Sequence, residues 1–187
     1  MIYFDFKKMR FSFTFGFFFV LALVCSSGNI LAVYSLVFCV IHELAHLFAM
    51  RNFGADINEV SFYGAGIKIS SSGVSELSCC KQIVVYSAGC AVNLAMAVIY
   101  IIIQSTELCA VNLCLALMNL LPISYLDGGK ILETVFPQHE SILKILSGIT
   151  TILVIGLFLI FAFCVRAVNL TSLITTAFVF LLSLILG

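Results

Sequence analysis

Apolar residues fall into six blocks along the chain, roughly 11–27, 29–50, 82–104, 107–121, 145–165 and 168–186. Long blocks with few charges read as transmembrane helices, which need about 20 apolar residues to cross a bilayer. The tight link Ser26-Ser27-Gly28-Asn29 makes the first two a helical hairpin. The fourth block is short for a crossing and stops at Pro122. A broken segment at membrane depth is tolerated where it lines a cavity or packs within protein, so this break is a place to expect function. One polar stretch of any length, 51–81, separates the second and third blocks. Within it, Val60-Ser61-Phe62-Tyr63 and Ile67-Lys68-Ile69-Ser70 alternate around Gly64-Ala65-Gly66, a β-hairpin signal. The pattern predicts an all-α membrane protein: a six-transmembrane-helix bundle with a small membrane-associated β-hairpin, one domain over 1–187.

Composition agrees. The chain has 187 residues, 63% hydrophobic and only 10% charged, with a mean hydropathy of +1.22. A soluble domain of this size could not cover its surface with so few charges. The formal net charge is zero, which leaves no basic stripe for nucleic acid. Of the eight cysteines, six lie within apolar blocks, where cysteine behaves as a small hydrophobe. None has CxxC spacing, and Cys79 and Cys80 are too close for ordinary disulfide geometry, so the thiols are expected to stay reduced. Lys7, Lys8 and Arg10 before the first block resemble a signal peptide. The second block follows at once, however, and Val24 before Cys25 does not suit lipoprotein cleavage. With the N-terminus inside, every Lys and Arg except Arg166 faces the cytoplasm, which predicts both termini cytoplasmic.

The second block contains His42-Glu43-Leu44-Ala45-His46. Four residues apart on a helix, the two histidines share one face and can grip a single Zn²⁺. Glu43, beside the first, can take a proton from a water activated by the metal and hand it to a leaving amine. Ionisable groups at the centre of a membrane helix cost about 2.5–3.5 kcal/mol each on insertion scales, so three within five residues need an offsetting purpose. The alternative is that they sit near the end of the span and reach water. His46 lies about 7–8 Å and His42 about 13 Å from Arg51 along a helix, which softens the cost without abolishing it.

Catalytic zinc usually takes three protein ligands and keeps a fourth position open. His139 follows Pro137 in a loop and reads as solvent-exposed. Asp127, after the broken fourth block in Asn119-Leu120-Leu121-Pro122-Ile123-Ser124-Tyr125-Leu126-Asp127-Gly128-Gly129, is the better candidate. Asp-Gly-Gly is also ordinary turn chemistry, and residue pattern alone leaves ligand and turn both open.

Together, His42-Glu43-x-x-His46 in a hydrophobic block and Asn119-x-x-Pro122-x-x-x-x-Asp127-Gly128 far downstream resemble the site-2 protease family of intramembrane zinc metalloproteases. The number and order of blocks look most like its stage IV sporulation protein FB branch. The resemblance implies that His42, His46 and Asp127 bind one zinc, Glu43 is the general base, and Asn119 assists near the scissile bond. Ala88-Gly89-Cys90-Ala91-Val92-Asn93 fits a third family feature, with Cys90 where proline is common. There Asn93 is expected near substrate, or else as a helix–helix hydrogen bond. Gly64 and Gly66 resemble the family's sheet, to which an unwound substrate can add as a strand. The implied substrates are membrane-anchored regulatory proteins, such as a pro-sigma or an anti-sigma factor, with lipid and inhibitory membrane proteins as further partners. A bacterial cell membrane is the implied location. Two other functions fit the same residues. A divalent-metal transporter would use them as a transport site, although inverted repeats are missing. A catalytically silent scaffold would need no Glu43.

Overall fold

A computed structural model describes residues 2–6, 9–64, 66–71 and 73–165. Two strands, β1 (Ile2–Phe6) and β2 (Met9–Phe13), precede α1 (Phe15–Ser26) and α2 (Ile30–Asn52). Strands β3 (Ile57–Tyr63) and β4 (Gly66–Ser71) follow, then α3 (Cys79–Ile102), α4 (Thr106–Asn119), α5 (Asp127–Val135), a 3₁₀ turn at Pro137–His139 and α6 (Glu140–Val165).

Among the described residues, three helices are long and apolar enough to cross a membrane: α2, α3, and the segment Pro137–Leu157 that leads into α6. The six-span expectation is not supported over this part of the chain. Helix α1 has 12 residues and α4 has 14. At 1.5 Å per residue these reach about 18 and 21 Å, short of the roughly 30 Å hydrocarbon layer. The sixth expected span, 168–186, lies outside the described residues. The first begins later than expected because residues 11–13 belong to β2.

The hairpin expected around Gly64 is present as β3 and β4, and it is half of a larger sheet. Strand order is β1-β2-β3-β4, antiparallel except for the parallel β2–β3 pair. Parallel neighbours need a long crossover, and here the α1–α2 hairpin supplies it. Strand β2 therefore enters α1 at the same end of the bundle where α2 delivers the chain to β3. Stacked aromatic rings tie the sheet to α1: Phe13 lies 4.6 Å from Phe62, and Phe17 meets Phe62 edge-on at 5.5 Å. Phe4 extends the stack at 5.1 Å from Phe11. Such rows of cross-strand pairs hold register in a small sheet.

Helices α2 and α3 form the centre of the bundle. The buried positions of α2 include Phe38, His42, His46 and Met50. Those of α3 include Val85, Gly89, Asn93 and Ala97. Both sets repeat every four residues, so each is a single stripe along one helix face. The helices run antiparallel with the stripes in contact: His46 reaches Val85, His42 reaches Asn93, and Phe38 meets Tyr100. Small residues in the α3 stripe let the backbones approach, as membrane helix pairs require. The opposite face of α2 carries Leu44 and Phe48, both exposed as a lipid-facing surface would be. The seven cysteines whose side chains are described are all free.

Candidate metal centre

One turn of α2 carries His42 and His46 on the α3-facing stripe, both only 4% exposed. The third member of the group lies 81 residues beyond His46, after the chain has passed through α3 and α4. Helix α4 ends at Asn119, and Pro122 falls in the irregular link that follows. In that link Ile123 is buried almost completely. Helix α5 begins at Asp127, so Asp127-Gly128-Gly129 forms the first helical turn and not a loop. A Cβ on Gly128 would lie 2.2 Å from the Leu120 carbonyl oxygen, and one on Gly129 would lie 2.1 Å from that of Ile123. The two glycines thus let α5 fold back onto its own preceding link, which aims Asp127 at the histidines.

Asp127 Oδ2 lies 3.0 Å from His42 Nε2 and 3.1 Å from His46 Nε2, and the two Nε2 atoms are 3.1 Å apart. All three side chains are buried. Burial alone would raise the Asp127 carboxyl, but its hydrogen bonds to His42 and His46 outweigh that effect and hold it well below the usual carboxylate range.

The donor set suits zinc. Two ligands bound tetrahedrally at about 2.0–2.1 Å stand roughly 3.3 Å apart, close to each side of this triangle. His46 Nδ1 donates to the Val85 carbonyl at 2.7 Å, which leaves its Nε2 lone pair facing the triangle. Gly89 supplies the strongest sign that the space matters. A Cβ there would stand 2.5 Å from both Nε2 atoms, so glycine is the one residue that leaves room beside the two nitrogens.

The other expected site residues are placed as follows. Glu43 is half-buried on α2 beside the triad. Asn93 is completely buried and contacts His42 through its amide at 3.3 Å. Asn119, the last residue of α4, turns its side chain back on its own helix and donates to the Leu115 carbonyl at 3.0 Å. Gly64 is buried in the link between β3 and β4 and packs against Gly16 of α1. Gly66 opens β4 at φ +140°, exposed, in backbone that favours glycine. His139 is exposed in the 3₁₀ turn, outside the triad. Cys90, the departure from proline, is buried with its thiol 3.7 Å from Asp127 Oδ2. An open cavity of about 360 Å³ between α3 and α5 is lined by Cys79, Gln82, Tyr86, Lys130, Glu133, Thr134 and Pro137, and by none of the triad.

Sequence reasoning did not find the Val85 carbonyl, which no side-chain pattern can announce. It noticed Gly89 as part of a motif without a reason for it. The signal was available as the four-residue repeat 85, 89, 93, 97 along α3.

Comparison with known proteins bears on this geometry. Residues 104–163, about a third of the chain, match the model of Peptidase family M50. That stretch holds Asn119 and Asp127 but neither His42 nor His46, and the fold brings Asp127 to both. Among solved structures, the site-2 protease from Methanocaldococcus jannaschii superposes over 96% of this chain and 92% of its own, with a TM-score of 0.65 at 21% identity. The fold is that of a site-2 protease. A comparison with curated proteins gave no match. The M50 match and the site-2 protease fold together support a metalloprotease hydrolase in a membrane setting. The match to the M50 family, whose peptidases use zinc, agrees with a triad that can hold a metal.

Proposed function

We propose that this chain is an intramembrane zinc metalloprotease that holds one zinc through His42, His46 and Asp127 and cleaves membrane-anchored proteins in or near the bilayer. The observation that carries this reading is the meeting of three buried candidate ligand atoms within 3.1 Å of one another, with Asp127 lying 85 and 81 residues from the two histidines, against the apolar helices α2 and α3. Nothing in packing alone calls for a carboxylate and two imidazoles there, because burying such groups without a partner ion is costly.

When bound, the metal supplies acidification of a water and polarisation of the scissile carbonyl. The chain's own residues do the rest. Glu43 takes the proton from the attacking water and gives it to the leaving amine, so it acts first as base and then as acid. Val85 holds the His46 ring in place by accepting from its Nδ1–H, and Asp127 completes the proposed ligand set from α5. Gly64 and Gly66 favour docking of an unwound substrate along the sheet, with Asn119 near the scissile bond. Both termini face the cytoplasm in this reading, which follows the basic residues, and a bacterial cell membrane is the proposed setting. Regulatory proteins such as a pro-sigma or an anti-sigma factor are the proposed substrates, as in the sporulation branch that the order of blocks resembles.

Co-expression with membrane-tethered regulators tests the proposal. A shorter product that disappears with Glu43→Gln and with zinc chelation is expected. Uptake of divalent metal into proteoliposomes, with no cleavage of any tethered protein, would point to a transporter instead.

A further inference from the structure

Zinc ligation through the Nε2 atom of a neutral histidine fixes where the ring's one proton must be. The lone pair at Nε2 faces the ion, so the proton sits on Nδ1 and needs an acceptor. His46 has one, the Val85 carbonyl at 2.7 Å. The side chain facing Nδ1 of His42 is Asn93, whose Nδ2 stands 3.3 Å away. An amide nitrogen cannot accept a proton. The other end of the same amide, Oδ1, is buried and has no hydrogen-bond partner. A half-turn about χ2 exchanges the two ends without moving any other atom, and they are nearly the same size. That half-turn gives His42 Nδ1–H an acceptor and gives the orphaned oxygen a donor.

We infer that Asn93 is a positioning residue whose Oδ1 accepts from His42 Nδ1–H, fixing the tautomer in which Nε2 is free for the metal. The inference rests on the zinc reading of the triad. It replaces nothing in the ligand set and adds the partner that orients one member. Val85 and Asn93 then do the same work for the two histidines from one stripe of α3, on either side of Gly89, which leaves the ion its space. Because Asn93 is completely buried, this role accounts for the polar side chain without requiring it to reach substrate.

The first test needs no variant. In the detergent-purified full chain loaded with zinc, ¹⁵N NMR of the histidine rings should show His42 protonated at Nδ1 and metal-bound at Nε2. A proton-free Nδ1, or ligation through Nδ1, would overturn the inference. The second test is zinc affinity by competition with a chelator. Asn93→Ala should weaken binding about 10- to 100-fold, while Asn93→Asp, which keeps an oxygen acceptor, should bind within several-fold of the parent or more tightly. Equal loss in both variants, or none in Asn93→Ala, would overturn it. If the parent's zinc binding is indifferent to His42→Ala, the metal site itself fails and the inference goes with it, a result distinct from either failure of Asn93.

Discussion

The α2–α3 seam and the four-stranded sheet meet at one end of the molecule, but they hold their residues in different ways. In the seam every position is fixed from several sides. His42 contacts Asp127, His46 and Asn93, and Gly89 has no room for even a methyl group. The sheet is held by aromatic stacking on one face, and among the described residues its outer strands β1 and β4 each pair on one side only. Gly66 lies exposed there, with open space where a Cβ would go. A site that moves a proton needs preorganised groups, whereas a strand that accepts an extended peptide needs accessible backbone. In the proposed reading, the same fold places its rigid chemistry and its adaptable recognition side by side, on separate elements.

That contrast predicts graded effects. Glu43→Gln should lower cleavage by about 10²- to 10⁴-fold, the usual contribution of a general acid–base group, with zinc content unchanged by metal analysis. Zinc lost along with activity would make Glu43 part of the metal site. Gly89→Ala should remove zinc and activity together, because its Cβ would stand 2.5 Å from both ligand nitrogens. Full zinc occupancy in that variant would show that the seam is looser than its geometry implies.

Gly66→Val should act on the sheet alone. A β-branched residue at φ +140° carries strain of about 1–3 kcal/mol, so cleavage should fall several-fold while zinc stays bound. If cleavage is untouched by substitutions across 60–69, substrate does not use this sheet. His139→Ala, in the exposed turn after α5, should change neither zinc content nor cleavage.

How much of this could be read from the chain follows from how local each signal is. The two histidines announce themselves because four residues on one helix decide their relation. Asp127 does not, since its partners lie 85 and 81 residues away and no spacing rule spans such a distance. Its Asp-Gly-Gly resembles a turn for a sound local reason, yet tertiary packing against the carbonyls of Leu120 and Ile123 makes it a helix start. The β3–β4 hairpin was visible in its alternation. Strand β2 was not, because Phe11-Ser12-Phe13 is a short alternation at the head of a continuous apolar run. What keeps it a strand is parallel pairing with β3, from Arg10↔Glu59 to Phe13↔Phe62. That non-local pairing also shortens the first apolar block to a 12-residue helix.

The central claim is that zinc is held by two histidines of one helix and an aspartate brought to them by a broken one. Zinc stoichiometry of purified Asp127→Asn, measured against the parent chain, tests it most directly. The account predicts a parent near one zinc per chain and a variant that loses most of it while its helix content stays the same. An Asp127→Asn protein that keeps stoichiometric zinc would contradict it, and would mean that the third ligand lies elsewhere in the chain.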